Sequence, residues 1–221
     1  MSIAQDELVA AGDQPEGLLD REGATPNDMP ESSGVVQVTQ SEYIDSELEQ
    51  PRPCPVVVLV GPPGAGKSTI GRRLARALNL GLTDSDVLIE EAEGKTCGEV
   101  FTELGEPAFR ELEAAHVAEA LRTTGVVSLG GGAVLTPSIR ELLKRHNVVW
   151  IDVSPEEGAR RTASENTRPV LAASDPAEHY RMLVEERRPL YREVSRFRAR
   201  TDRRSPQKVV ADILGFLESA N

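Results

Sequence analysis

The stretch that decides the fold is Cys54–Thr69, CPVVVLVGPPGAGKST. It opens on an unbroken apolar run, the pattern of a strand covered on both faces. Gly61-Pro62-Pro63-Gly64-Ala65-Gly66-Lys67-Ser68 follows and matches G-x-x-x-x-G-K-[ST]. The next residues carry Ile70, Leu74, Ala77 and Leu78 at helical spacing. Strand, glycine loop and helix in this order form a phosphate-binding loop. Its glycines let backbone N–H groups converge on phosphate oxygens, and the helix N-terminus favours an anion there. Gly64, Ala65, Gly66, Lys67, Ser68 and Thr69 are therefore the candidate nucleotide contacts. Lys67 would bridge the β- and γ-phosphates, and Ser68 would ligate Mg²⁺.

Outward from this loop the chain alternates. Strands are expected at LGLTDSD, GVVSLGGG, NVVWIDV and RFRART. Helices are expected at VLIEEAEG, EPAFRELEAAHVAEALR, TPSIRELLKR (capped by Thr136), SPEEGARRT, PAEHYRMLVEERRPLYREV and SPQKVVADILGFLES. Pro189 should break or kink the second-last of these. The class is α/β, with a parallel sheet covered on both faces. Residues 163–175, ASENTRPVLAASD, read as a mobile loop.

Charge divides the 221 residues unevenly. Residues 1–52 hold twelve acids and two bases; residues 53–221 are nearly balanced. The front segment is too poor in apolar groups to offset its ordering entropy and reads as a disordered acidic tail. It lacks the basic start and apolar core of a signal peptide. A balanced body argues against nucleic acid as the partner, and the lack of an 18-residue apolar run argues against a membrane span. Cys54 and Cys97 have no metal or redox spacing, and no disulfide is expected. His116, His146 and His179 read as surface or helix-end residues. From Pro155 to Pro206 every basic residue but His179 is Arg.

A phosphate loop alone does not name a reaction. No N-K-x-D follows to read guanine, and VVWID could serve as a second nucleotide motif ending in Asp152 or simply as a strand end. Asp84 and Asp86 stand two apart at a strand end, so both could face the phosphate loop; they could equally cap the helix that follows.

The segments GPPGAGKSTIGRRLARAL, LTDSDVLIE, FREL, SLGGGAV, TRPVL and PLYREV stand in the order and spacing of shikimate kinase, which residues 55–217 resemble. The resemblance implies a three-layer P-loop kinase fold with a five-stranded parallel sheet in order 2-3-1-4-5. It implies transfer of the ATP γ-phosphate to the 3-hydroxyl of shikimate, with Mg²⁺, on the route to chorismate and the aromatic amino acids. It assigns Asp84, with Ser68, to the Mg²⁺ environment and makes Asp86 the substrate-binding residue and candidate base. Arg110 and Arg192 would clamp the shikimate carboxylate, since a guanidinium fork matches it. Glu113, one turn after Arg110, could orient it. Phe101 and Phe109 fit either as pocket walls or as core. Gly131 and Gly132 would press backbone against the substrate ring. Arg168 would close a lid of residues 163–175 over the phosphates, with Val170 standing where the family pattern has Leu. Arg161, Arg204 and Pro206 would border adenine. The resulting expectation is a monomeric cytoplasmic enzyme, residues 53–221 forming the kinase domain. A gluconate-type kinase and a non-catalytic nucleotide-binding module are the alternatives. The triple glycine, FREL and PLYR argue against the first, and intact Lys67, Ser68, Asp84, Asp86 and Arg168 against the second.

Overall fold

The computed structural model describes residues 54–163 and 175–220. The acidic tail and Arg168 lie outside the described residues, as does most of the 163–175 loop.

Five parallel strands form one sheet: β1 (Pro55–Val60), β2 (Leu82–Asp84), β3 (Gly125–Ser128), β4 (Val148–Asp152) and β5 (Phe197–Arg200). Their order is β2-β3-β1-β4-β5, as the resemblance implied. Each crossover carries a helix: α1 (Lys67–Leu78), α2 (Ser85–Glu93), α3 (Cys97–Ala120), α4 (Pro137–Leu143), α5 (Pro155–Thr162), α6 (Pro176–Val194) and α7 (Pro206–Ala220).

The strands are read by their period of two. Val57 and Leu59 of β1, with Val149 and Ile151 of β4, turn to the face covered by α1 and α7, where Ile70, Leu74, Val209 and Ile213 close the core. Val58, Val60, Val148 and Trp150 turn to the other face, against Val117, Ile139, Leu143, Tyr191 and Val194. Burial of each such side chain contributes roughly 1.5–3 kcal/mol. On α1 it is Ala75 that is buried; Ala77 is exposed, because Leu78 and Leu74 already complete the stripe.

Three local expectations change. Pro189 sits inside an unbroken α6. Buried Tyr180, Leu183 and Val184 before it, and Tyr191 and Val194 after it, hold the helix across the missing N–H. The break falls instead in α3, at Gly105, whose φ of 73° and ψ of 166° separate two helical pieces. Pro107 thus lies in the first turn of the second piece, where its ring is tolerated. Thr136 precedes α4, but its hydroxyl makes no capping bond and is buried without a partner; Pro137 alone marks that start. His146 follows α4 and His179 stands in the first turn of α6, as expected of helix ends, whereas His116 lies within α3.

The two pieces of α3 and α2 enclose a small apolar cluster of Ile89, Val100 and Phe109. Phe101 meets Phe109 edge-on, with centroids 5.3 Å apart. Phe109 is therefore a core residue. Among the described residues no helix is long and apolar enough to cross a membrane, and both cysteines are free.

Candidate active site

The strand ends deliver four short segments to one edge of the sheet, as parallel α/β sheets do with their ligand sites. The phosphate loop leaves β1. Gly66 caps α1 at φ 96°, a left-handed position suited to glycine that turns the loop backbone inward. Lys67 Nζ donates to the carbonyls of Gly61, at 2.8 Å, and Pro62, at 3.2 Å, so its charge lies within the loop. Ser68 and Thr69 open α1 on the exposed side.

The loop is braced from behind. Arg161 of α5 donates to Gly64 O (3.3 Å), Thr201 Oγ1 (3.2 Å) and Thr201 O (3.3 Å), and its Nε pairs with Glu157 (2.8 Å). Arg160 and Arg161 together hold the Glu157 carboxyl far below its usual range, at about 2. Buried Tyr180 of α6 donates to Pro63 O at 2.6 Å. That contact needs Gly158, because a Cβ there would overlap the Tyr180 ring and hydroxyl. Tyr180→Phe leaves the Pro63 carbonyl buried without its donor, a loss of about 1–3 kcal/mol. Denaturant melts should register it, and ADP affinity should weaken by about three- to tenfold, since the same carbonyl sets the loop's shape. Unchanged values in both would leave Tyr180 without a positioning role.

Beyond the loop, Asp84 ends β2 and caps α2, accepting from the Asp86 N–H at 3.1 Å. The pair therefore caps the helix, and the cap fixes where the Asp86 backbone stands. Ser85 between them is fully buried, and its Oγ accepts from Gly130 N–H at 3.0 Å. In the sequence this residue has no signal but its place between two aspartates.

The three glycines after β3 each admit a different neighbour. A Cβ on Gly130 would overlap Asp86 Oδ1 and lie 3.1 Å from Glu113 Oε1. One on Gly131 would lie 3.0 Å from the Pro63 ring of the phosphate loop. One on Gly132 would overlap the Arg110 guanidinium. The glycines are the space into which an acid, a proline and an arginine fit.

Arg110 donates from Nη1 to Glu113 at 2.7 Å and from Nη2 to Glu106 at 3.2 Å. Glu113 is 2% exposed. Burial pushes its carboxyl above the usual range, against the opposing pull of Arg110, and the charge of nearby Asp86 adds to the rise. Arg192, expected at this site, lies on the exposed side of α6. Arg187 occupies the position instead: Nη1 donates to Gly131 O at 3.2 Å, and Arg187 also acts electrostatically on Glu113. Tyr191, one turn later, donates to the same Gly131 carbonyl at 2.6 Å. Residues four apart share a helix face, so Arg187 follows Tyr191 inward while Arg192, one residue on, is turned about 100° away. Burial raises the Tyr191 hydroxyl above the usual phenol range, which keeps it a donor.

Arg204 does not stand free at the adenine side; it pairs with Asp212 at 2.6 Å, and Pro206 begins α7. Asp152, at the end of β4, binds Arg198 through Oδ2 at 2.9 Å. Among the described residues no group of three or more His, Cys, Asp or Glu side chains could hold a metal ion.

A shikimate kinase family profile matches residues 63–218. The shikimate kinase of Corynebacterium efficiens is 77% identical over 164 residues, 74% of this chain and 97% of that one. That of Corynebacterium glutamicum is 73% identical over the same shares. The chain belongs to the shikimate kinase family. Among solved structures, shikimate kinase from Acinetobacter baumannii in complex with shikimate superposes with a TM-score of 0.72. It is 36% identical, covering 76% of this chain and 95% of the other.

Proposed function

We propose that this protein transfers the γ-phosphate of ATP to the 3-hydroxyl of shikimate, yielding shikimate 3-phosphate and ADP. The observation carrying this reading is the junction of two unlike sites. A phosphate loop meets, at Gly131 and Pro63, a glycine turn that has a carboxylate (Asp86) at Gly130 and guanidinium groups at Gly131 and Gly132 (Arg187, Arg110). That polarity suits a polyhydroxylated carboxylic acid: hydroxyls toward Asp86, carboxylate toward the arginines.

In this reading Lys67 and the loop N–H groups hold the phosphates in line with the acceptor hydroxyl. Asp86 orients that hydroxyl and takes its proton as the new P–O bond forms and the bond to ADP breaks. Glu113 keeps Arg110 in place. Arg168, outside the described residues, is assigned to the transferring phosphate, and Arg161, Arg204 and Pro206 to the adenine side. Ser68 and Asp84 offer the hydroxyl and carboxylate oxygens that would hold Mg²⁺, and the ion would supply charge neutralisation on the phosphates.

An ADP-release assay with shikimate and gluconate in parallel tests the assignment. Turnover with shikimate is expected; turnover with gluconate alone, or with neither, would overturn it. Arg110→Lys and Arg187→Lys should each raise the KM for shikimate by about tenfold or more, since Lys keeps the charge but loses the fork. ADP affinity should stay within about twofold. Arg192→Lys, on the exposed side, should change neither. Calorimetry with shikimate decides between the two arginines: normal binding by Arg187→Lys would return the clamp to another residue.

A further inference from the structure

The run of arginines between Pro155 and Pro206 is larger than the proposed reaction uses. Much of it lines an open groove of about 700 Å³ at the β4–β5 end of the sheet, beside α5 and α6. The strand pattern there breaks the rule that both faces of a parallel sheet are apolar. Along β5, Phe197 and Ala199 turn to the core shared with α7. Arg198 and Arg200 alternate with them and turn to the other face, paired in register with Trp150 and Asp152 of β4. A sheet face that should carry core instead carries charge, and such local conflicts with the fold concentrate at functional sites.

The charges are only partly matched. Arg198 stacks over Trp150, its Cζ 4.5 Å from the ring centroid, and binds the Asp152 carboxylate. Arg160 is taken by Glu157 and Arg204 by Asp212. Asp202, a further acid at the groove, accepts from the Ser154 N–H at 2.8 Å. Arg188 lies over the Trp150 ring, at 5.7 Å, and among the described residues neither it nor Arg203 makes an ion pair with the groove's carboxylates. Arg200 reaches Asp152 at 3.7 Å and is largely exposed. Arg203 also holds φ 51°, a left-handed conformation that ordinary side chains avoid. Beneath them Asp152 is 3% exposed, and its Oδ1 is buried without a donor among the described residues. The lining carries six arginines against four carboxylates, so its balance is positive.

We propose that this groove is a second ligand site, separate from the phosphate loop and the acid–arginine cleft and sharing only Arg204 with the residues assigned to adenine, which takes a small dianion through Arg188, Arg200 and Arg203. Carboxylate and phosphate groups both match guanidinium forks, and a donor such as a hydroxyl on the ligand would satisfy Asp152.

The test uses the full chain saturated with ADP and shikimate, so that both other anion-binding regions are filled. Malonate and inorganic phosphate are titrated separately. Trp150 is the chain's single tryptophan and lies under two of the groove's arginines, so its fluorescence reports occupancy. A saturable change with Kd below about 1 mM is expected for at least one anion, the stronger arm naming the ligand chemistry. Arg200→Glu and Arg203→Glu, both exposed, should fold normally by melting and weaken binding at least about tenfold by reversing a charge at the ligand. No saturable change with either anion would overturn the proposal. So would equal binding by both variants, which would place the anion elsewhere. Because the readout is binding and not turnover, it stands apart from the outcome of the shikimate assay.

Discussion

Lys67→Ala should lower kcat by about 10²–10³-fold while leaving a cooperative melt close to that of the parent. Phosphoryl transfer asks the protein chiefly for position and for charge where charge develops. Lys67 lies with its ammonium against the carbonyls of Gly61 and Pro62, inside the curve of the phosphate loop. Its removal takes away the loop's own cation but no apolar core. The loop's shape has other supports, from Arg161 to Gly64 and from Tyr180 to Pro63. The loss should therefore fall on chemistry more than on folding. Steady-state kinetics beside a denaturant melt checks it; turnover within threefold of the parent would contradict the phosphate-loop assignment.

Asp86→Asn should lower kcat by about 10²–10⁴-fold, the range for a positioned proton acceptor. The substitution keeps shape and removes only the charge and basicity. Its position is unusually constrained: the backbone N–H is held by Asp84, the carbonyl accepts from Cys97 Sγ at 3.4 Å, and Oδ1 fills the space that Gly130 leaves empty. The charge also bears on Glu113, whose carboxyl it helps to raise. Asn at 86 should thus let Glu113 ionise at lower pH and hold Arg110 more firmly, so shikimate binding should survive while transfer fails. Gly130→Ala provides the steric counterpart. Its methyl meets Asp86 and Glu113 together, and both transfer and shikimate affinity should drop. Kinetics and calorimetry on the two variants separate the roles: an Asn variant with parental kcat would leave Asp86 as a positioning group only.

The phosphate loop, the five strands and most of the helices were legible because each rests on local chemistry; the first piece of α3, from Cys97 to the break at Gly105, was not expected. A glycine loop between an apolar run and a helix has few other uses, and a parallel strand advertises itself by being apolar on both faces. The strand order and the shikimate cleft came from resemblance, since no periodicity states which strand lies beside which. Local rules failed where distant parts meet. Pro189 looked like a helix breaker, but residues on both sides of it are buried against the sheet and the neighbouring helices, and that packing outweighs one missing hydrogen bond. Arg192 and Arg187 are both plausible clamps in a line of text. Only the rotation of α6, set by buried Tyr191 against Gly131, turns Arg187 inward and leaves Arg192 exposed. The triple glycine announced a close approach without naming its neighbours. Which atom fills each absent side chain was decided when β1, α2 and α3 were brought to the end of β3, because packing that dense leaves room for Asp86, Pro63 and Arg110 only if position 130, 131 or 132 carries no side chain.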